Sequence, residues 1–403
     1  MEIGRPLAGL VGSAVHGWRM QGAASCGPLA AMRIVHVIAG VPIESGGPTQ
    51  VLREMSARLV ELGEEVTVMT TDTGHGRRVK DHGFSPGVAV ELWRAELTRS
   101  PHPSFGHLRA AWGAAERFDV AHVHGLFAVP PSAAMVAFRR RGLPYVLRPC
   151  GMLDRWSLAQ KPVLKRAWRA LAEDANIRGA AAIQASTEHE AEAVRALLPS
   201  SHHDRVIVLP QGVARPVAGT GRAPHPRPYL LFLSRIARKK GLFRLVEAFE
   251  RLAPVHTDLD LVIVGPDEGG HRAEVEARAR HLGSRVIFTG PATGAAKSDW
   301  LGHAELFVLP SDDENFGVVV IEAAHLGTPV VVSRAVGLAP AVEACDAGLV
   351  SDNDPIALAR TVDAVLANRG RFAPGLAALA REHDWGPIGE RLVALYRGIS
   401  SRR

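Results

Sequence analysis

The chain has 403 residues, of which 47% are hydrophobic and 22% are charged. This composition excludes a disordered or fibrous protein, and the length suits two large domains better than one core. The net charge of +6 is compatible with an anionic ligand, an anionic membrane surface or nucleic acid. The three scattered cysteines fit neither a disulfide framework nor a zinc motif, which favours a reducing, cytoplasmic compartment.

The N-terminal stretch is rich in glycine and lacks the compact apolar core of a signal peptide. We therefore expect residues 1–31 to form a disordered extension. Met32 stands directly before the first strand pattern and is an alternative translation start to Met1. No run of eighteen apolar residues occurs, so the sequence predicts no membrane-spanning helix.

From Met32 onward, apolar runs alternate with helical patterns. RIVHVIAG is typical of a buried strand, and GGPTQVLREMSARLVELG of a helix that follows a glycine turn. Further strands are predicted at EEVTVMTT, VAVELWR and FDVAHVHG. Strands separated by helices predict a parallel sheet, in which ligands bind at the carboxyl ends of the strands.

A second unit of the same kind follows an irregular segment. Residues 214–228 are rich in Pro, Gly and Arg and have no periodicity, which is typical of a linker. The alternation then restarts with YLLFLSRI and continues through LDLVIVG, RVIFTG and AELFVLPS. The sequence predicts a first domain over residues 32–213 and a second over residues 229–382, with a cleft between them.

Six short motifs occur in a fixed order along the two units. They are ESGGPTQ, HVHGLF, RPCGMLD, SRIARKKG, GPDEGG and ENFGVVVIE. With this combination the chain resembles glycosyltransferase family 4 over roughly residues 32–400, a family of retaining enzymes that use nucleotide-activated sugars. The resemblance implies an α/β protein of the GT-B fold, with two Rossmann-like domains facing each other across a donor-binding cleft. It also implies that residues 383–403 form a helix that crosses back to the first domain.

The stretch RPCGMLDRWSLAQKPVLKRAWR most resembles enzymes that build bacterial surface polysaccharides. The resemblance therefore implies transfer of a hexose-type sugar, with retention, from a UDP- or GDP-linked donor to a glycan or lipid-linked acceptor, without a cofactor. Two alternatives are a GT-B sugar-nucleotide epimerase and a catalytically silent subunit that only binds nucleotide sugar. A basic nucleic-acid binder fits less well, because aromatic residues make up only 5% of the chain and no recognition motif occurs.

Two cations in SRIARKKG are expected to hold the donor diphosphate. A guanidinium at Arg235 and an ammonium at Lys240 would neutralise it and stabilise the charge that develops as it leaves. The family motif places the phosphate contacts on these two residues, and we expect Arg238 and Lys239 to be surface charges. Without the resemblance, such a cluster would indicate only a solvated basic turn.

The segment ENFGVVVIE is expected to complete the donor site. The amides that would cradle phosphate at the start of its helix are those of Asn315, Phe316, Gly317 and Val318. Glu314 would bind hydroxyls of the donor sugar, and Glu322, just over one turn inside the helix, would hold both ribose hydroxyls. The alternatives without a ligand are an exposed acid for Glu314 and a buried pair with an arginine for Glu322.

The first domain is expected to supply the remaining contacts. Gly46 and Gly47 form a flexible turn before a helix, and in the family this loop borders the donor and acceptor. The resemblance places His124, at a strand end, against the donor sugar, in preference to His122. Arg148 would meet either a charge on the acceptor or a neighbouring carboxylate. The expected catalytic residues are His124, Arg235, Lys240 and Glu314.

The acidic run before Asn315 also suggests a divalent ion, because carboxylate oxygens suit Mg or Mn. Asp312, Asp313 and Glu314 are adjacent, however, and cannot all face one ion from an extended loop. The GT-B resemblance also supplies the countercharge from Arg, Lys and a helix N-terminus, so we expect no metal. No carboxylate is placed as a nucleophile, which favours front-face substitution.

One helical segment, LAQKPVLKRAWRALAED, concerns the membrane. Helical spacing places an apolar set on one side and a basic set on another: Leu164, Trp168 and Leu171, and Lys161, Lys165 and Arg169. A basic face with tryptophan predicts peripheral contact with an anionic membrane, on the inner face of the cell membrane. The alternative is an ordinary helix that packs its tryptophan inward.

Overall fold

The computed structural model describes residues 30–42, 47–74, 77–79, 81–98 and 100–401. The predicted extension lies outside the described residues up to position 29, and so does Gly46. Within the described part, two parallel sheets each carry helices, and the chain is the α/β protein that the sequence predicts.

The first unit is built on a seven-stranded parallel sheet. The strands of this half are β1 (Arg33–Gly40), β2 (Glu65–Thr71), β3 (Thr73–Gly74), β4 (Arg77–Arg78), β5 (Ala89–Trp93), β6 (Val120–His124), β7 (Tyr145–Arg148), β8 (Ala182–Ala185) and β9 (Val206–Val208). The sheet order is β5-β2-β1-β6-β7-β8-β9, while β3 and β4 form a separate antiparallel ribbon. Helices on both faces bury β6 and β7 completely, including the polar side chains of His122, His124 and Arg148.

The helices of the first unit lie between these strands. They are α1 (Pro48–Glu61), α2 (Phe105–Trp112), α3 (Ala114–Arg117), α4 (Val129–Arg141), α5 (Arg155–Ala159), α6 (Pro162–Trp168), α7 (Asp174–Gly179) and α8 (Glu188–Arg195). A π-helical turn, Arg169–Glu173, joins α6 to α7, and a 3₁₀ turn covers Ser200–Arg205. The basic segment that the sequence treats as one helix is thus broken before Pro162, because a residue preceding proline disfavours the helical conformation.

The second unit repeats the design with a six-stranded parallel sheet. Its strands are β10 (Tyr229–Leu233), β11 (Asp260–Val264), β12 (Val286–Gly290), β13 (Leu306–Leu309), β14 (Val330–Ser333) and β15 (Gly348–Ser351), in the order β12-β11-β10-β13-β14-β15. Its helices are α9 (Leu242–Leu252), α10 (His271–Ala279), α11 (Gly294–Gly302), α12 (Val318–His325), α13 (Ala339–Cys345), α14 (Pro355–Ala367), α15 (Ala373–Glu382) and α16 (Trp385–Ser400). Three 3₁₀ turns cover Arg238–Lys240, Arg280–Arg285 and Arg369–Phe372.

The last helix, α16, packs on the first unit. Its Tyr396 is fully buried and hydrogen-bonds His122 of β6 at 2.6 Å, while Arg397 donates to Glu64 at 2.8 Å. At its start, the Trp385 indole donates to Glu54 of α1 at 2.8 Å. None of the helices in the described residues has both the length and the apolar character that crossing a bilayer requires.

Candidate active site

The candidate site lies where the carboxyl edges of the two sheets approach each other. In each sheet the strand order reverses at the first strand of the unit, β1 or β10, and such reversals are where ligands bind in open α/β sheets. Two contacts cross the cleft here. The Thr187 hydroxyl donates to the Asn315 carbonyl at 3.5 Å, and the Lys239 ammonium lies 4.5 Å from the Trp156 ring.

The two predicted phosphate cations follow β10, and both are already paired with acids. Arg235 is half exposed and forms an ion pair with Glu268, in the loop between β11 and α10. Lys240 is buried, with its side chain only 5% exposed, and its ammonium donates to the Glu314 carboxylate. The folding of β10 and β13 side by side thus joins two residues that the sequence proposes for one site.

The turn that carries Lys240 ends at a glycine that the fold requires. Gly241 has a positive φ of 69°, and a Cβ atom there would lie 2.0 Å from the Pro310 carbonyl oxygen. No side chain fits so close to a backbone oxygen. Glycine at this position therefore allows the Lys240 turn to pack against the segment that leads to Glu314.

Every acid of the Asp312 to Glu314 run has its own cation. Asp312 pairs with Arg244 at 2.5 Å, Asp313 with Lys239 at 3.0 Å, and Glu314 with Lys240. The three carboxylates therefore serve three different ion pairs. The expectation that Lys239 is a surface charge is wrong, since its side chain is only 21% exposed, whereas Arg238 is 73% exposed.

Glu322 lies on α12 and pairs with a residue that sequence reasoning did not single out. Its Oε1 accepts from the Lys297 ammonium of α11 at 2.6 Å, and its Oε2 is buried with no partner among the described residues. The partner is thus a lysine where the alternative without a ligand had an arginine. One carboxylate oxygen remains available for a further donor.

The residues before α12 play different structural parts. Gly317 begins the helix with a φ of +96°, a conformation that side chains rarely adopt. The Phe316 ring is buried and packs edge-to-face on His383, so only its backbone can meet a ligand. The Asn315 side-chain oxygen is buried without a partner in the described structure, and Val318 is half-buried. On the other side of the cleft, Gly47 begins α1 with a φ of +55°.

His124 does not stand alone at the cleft edge but belongs to a buried cluster. Strand pairing sets His36 of β1 beside His122 of β6, and the His36 Nδ1 lies 3.0 Å from the His124 Nε2. All three rings are buried, with centroids between 4.3 and 5.4 Å apart. Because β-strand side chains alternate in direction, His122 and His124 point to one face, the face that α16 covers. Sequence reasoning missed His36, although it stands mid-strand among apolar residues.

Burial keeps these imidazoles neutral. It lowers the pKa of His36 to about 3, with a further contribution from the Arg148 charge. Burial also lowers the pKa values of His122 and His124 well below the usual value, aided by the neighbouring histidines and Arg148. Neutral rings can each donate one hydrogen bond and accept another.

Arg148 ends β7 beside this cluster and is buried as well. Its Nη2 donates to the Gln211 amide oxygen, while its Nε and Nη1 have no partner among the described residues. The predicted neighbouring carboxylate is therefore not found at Arg148 within the described structure. A buried guanidinium with two unused donors is costly unless an anion or water meets it.

Among the described residues, these three histidines form the group whose geometry could hold a metal. Their nearest ligand atoms lie within 4.8 Å of one another. The Arg148 charge opposes a cation there, however, as its effect on the pKa values of the histidines shows.

Two acids that sequence reasoning missed lie near each other, and one of them lies near the acidic run. Asp154 is buried, and burial raises its pKa to about 6, with added repulsion from Glu190 and Asp313. Glu190 is fully buried and accepts from the amides of Gly151 and Ser186 at 2.6 and 2.7 Å. Asp154 is the last residue of the RPCGMLD motif, and this motif could have indicated it from the sequence.

Comparison with known proteins places this architecture. A family described as "Glycosyl transferase 4-like domain" matches residues 46–212, and one described as "Glycosyl transferases group 1" matches residues 220–382. The D-inositol 3-phosphate glycosyltransferase of Xylanimonas cellulosilytica is 30% identical over 94% of this chain and 98% of that protein. The chain belongs to glycosyltransferase family 4. A second relative, D-inositol 3-phosphate glycosyltransferase 1 of Catenulispora acidiphila, is 31% identical over 84% of this chain and 82% of its own length.

Solved structures show the same fold for this glycosyltransferase. Sucrose-phosphate synthase from Thermosynechococcus elongatus superposes with a TM-score of 0.72 at 19% identity, covering 92% of this chain and all of that one. The Anabaena protein HepE, solved with UDP and glucose, gives a TM-score of 0.69 at 16% identity, covering 91% and 100%. The predicted GT-B fold and the family resemblance are confirmed.

Proposed function

We propose that this glycosyltransferase moves a hexose-type sugar, with retention of configuration, from a UDP- or GDP-linked donor to a glycan or lipid-linked acceptor in bacterial polysaccharide synthesis. The contact between Lys240 and Glu314 is the main support for the proposal. It brings together, at one point of the cleft, the cation expected to bind phosphate and the acid expected to bind sugar hydroxyls. The HepE structure with UDP and glucose gives a precedent for such a donor in a protein of similar fold.

In this proposal the cations of the second domain change partners when the donor binds. Lys240 and Arg235 leave their carboxylates for the diphosphate, and Glu314 is released to accept hydrogen bonds from sugar hydroxyls. The free Oε2 of Glu322 accepts from the ribose. The diphosphate brings negative charge into the cleft and replaces the two carboxylates as the partner of these cations.

Retention follows from front-face substitution. The leaving phosphate oxygen removes the proton of the acceptor hydroxyl, while the new bond to the sugar forms on the face from which the phosphate departs. The protein contributes placement, exclusion of water and stabilisation of the developing negative charge. Neutral His124, the last residue of β6, supplies a hydrogen bond to the donor sugar without adding charge.

Transfer proceeds without a metal ion or other cofactor in this proposal. The support is the pairing of the acidic run, because Asp312, Asp313 and Glu314 each contact a separate cation. They do not converge as ligands for one ion would.

The acceptor side includes peripheral contact with an anionic membrane. Val163, Leu164 and Leu171 are 78%, 56% and 86% exposed, beside the basic residues of α6. Trp168 instead turns inward and donates to the Ser132 hydroxyl at 3.1 Å, as the alternative interpretation of that helix expects.

Calorimetric titration with UDP, GDP and ADP tests the donor class. We expect one of the first two to bind and the others to bind at least tenfold more weakly. A sugar donor of that base should then give a product whose anomeric proton, measured by NMR, keeps the donor configuration. Inversion at that carbon, or no binding of any of the nucleotides, would contradict the proposal.

A further inference from the structure

A basic groove lies on the first domain beside the cleft mouth. It has a volume of about 490 Å³ and lies between α5 and α6. The lining residues are Arg155, Leu158, Ala159, Pro162, Lys165, Arg166 and Arg169. Four of the seven carry positive charge, and the sequence has no acid from position 155 to position 172. The groove is therefore suited to an anion.

Some of these cations are fixed by the fold and others are free. Lys165 reaches from α6 to α5, donating to the Ser157 carbonyl and hydroxyl at 2.6 and 3.0 Å. Arg169 pairs with Asp174 at 2.8 Å. Arg155 and Arg166 are exposed and form no ion pair within the described part of the chain. The groove thus has a rigid floor and two cations without a carboxylate partner.

The groove is connected to both sides of the catalytic cleft. Trp156, next to Arg155, contacts Lys239, the neighbour of Lys240. At the other end, the Lys165 ammonium lies 5.0 Å from the ring of Phe127, in the loop that follows His124.

The backbone around the groove has unusual conformations. Glu173, buried in the π-helical turn after α6, accepts from the Phe127 amide at 2.9 Å and so ties the α6 segment to the His124 loop. Phe127 and Lys161 both have positive φ angles, of 57° and 54°. π-Helical turns and strained residues of this kind occur often at functional sites.

We propose that this groove binds a phosphate or diphosphate group of the acceptor and so orients the acceptor hydroxyl toward the cleft. The inference rests on the proposed function, because it assigns a second anionic substrate to the same enzyme. Guanidinium groups without carboxylate partners form strong, bidentate hydrogen bonds with phosphate. The exposed Val163 and Leu164 beside Pro162 would contact a lipid chain if the phosphate belongs to a lipid-linked acceptor.

The test uses inorganic pyrophosphate and the full-length protein with its donor site saturated by the nucleoside diphosphate that binds best. We expect pyrophosphate to bind at a second site, and the double variant Arg155→Ala, Arg166→Ala to weaken this binding at least tenfold. A matched variant, Arg109→Ala with Arg140→Ala, removes two exposed arginines of the same domain outside the groove and should bind normally. Equal pyrophosphate affinity in the groove variant and the wild type would overturn the proposal.

Two further arms separate the sources of the phosphate. Tighter binding of farnesyl diphosphate than of pyrophosphate, with the gain lost in Leu164→Ser, supports a lipid-linked acceptor. Equal binding supports a soluble phosphorylated acceptor, and both results keep the groove as a phosphate site. If the groove variant loses binding only to phosphatidylglycerol vesicles and keeps pyrophosphate binding, the surface is a membrane contact and the proposal fails. Should no nucleoside diphosphate bind, the donor assignment fails, while the pyrophosphate titration without nucleotide still tests the groove.

Discussion

The two sides of the cleft handle charge in opposite ways. On the second domain, Arg235, Lys240 and Lys297 are each paired with a carboxylate. On the first domain, Arg148 is buried with no carboxylate partner in the described structure, beside histidines that burial keeps neutral. Paired cations can exchange their carboxylates for the diphosphate of a charged donor. An unpaired buried cation destabilises the fold, and a bound anionic ligand would remove that destabilisation.

The largest expected effect comes from removing the paired cation nearest the acidic run. Lys240→Ala should lose roughly 2–4 kcal/mol of transition-state stabilisation, the scale for one lost electrostatic donor. Turnover with a matched donor and acceptor gives the measurement. Arg238→Ala is the control, because that arginine lies in the same turn but points to solvent and pairs with Glu274. Near-normal turnover of Lys240→Ala would show that this paired cation of the second domain does not stabilise the leaving diphosphate.

Asp154 should make a pH-dependent contribution to stability that a single substitution can isolate. Its native pKa of about 6 lies above the ordinary 3.8, so its charge destabilises the fold above pH 6, and this penalty disappears as the pH falls toward 3.8. Asp154→Asn should therefore raise the free energy of unfolding at pH 8 by about 2–3 kcal/mol. The gain should shrink between pH 6 and pH 4 in denaturant titrations.

Asp258→Asn is the matched control for this variant, because Asp258 is exposed. It should change the free energy of unfolding by less than about 0.5 kcal/mol at any pH in the range. A gain for Asp154→Asn that does not depend on pH would show that the carboxyl is not held protonated by its surroundings.

Arg148 tests the unpaired cation of the first domain. Arg148→Met removes a buried charge and keeps much of the side-chain volume, so the free energy of unfolding should rise by about 1–3 kcal/mol. Turnover should fall, because the unused donors are then lost to the ligand. Arg140→Met, at an exposed site, should alter neither quantity. A destabilised Arg148→Met variant would mean that the guanidinium serves the fold.

The smallest expected effect is that of removing divalent ions. Activity should persist in excess EDTA, because the acids of the second domain are paired with lysine and arginine. Loss of activity in EDTA, with recovery when Mg or Mn is added back, would contradict this expectation. It would indicate that Asp312 and Asp313 bind the ion.

The sequence was sufficient for most of the fold because its signals are local. Apolar runs and intervening helical periods locate four strands in each sheet, whereas the short strands β8, β9, β14 and β15 were not predicted. The broken basic helix shows the limit, since Pro162 interrupts a pattern whose charge periodicity is otherwise continuous.

The site was less accessible from sequence, because its contacts join distant parts of the chain. Lys240 and Glu314 are 74 positions apart, and His36 and His124 are 88 apart. Motifs pointed to one member of each pair or to both, but not to their contact. Lys297 and Glu190 carry no motif of their own, and only folding places them beside Glu322 and Gly151.

The exchange of partners at the second domain is tested most directly by titrating two variants with the nucleoside diphosphate, which has a ribose and no sugar. Glu322→Gln should weaken its binding about tenfold, because a ribose contact is lost in ground and transition states alike. Glu314→Gln should bind it at least as tightly as the wild type, because Lys240 no longer has to leave a carboxylate. Equal weakening in the two variants would contradict the account.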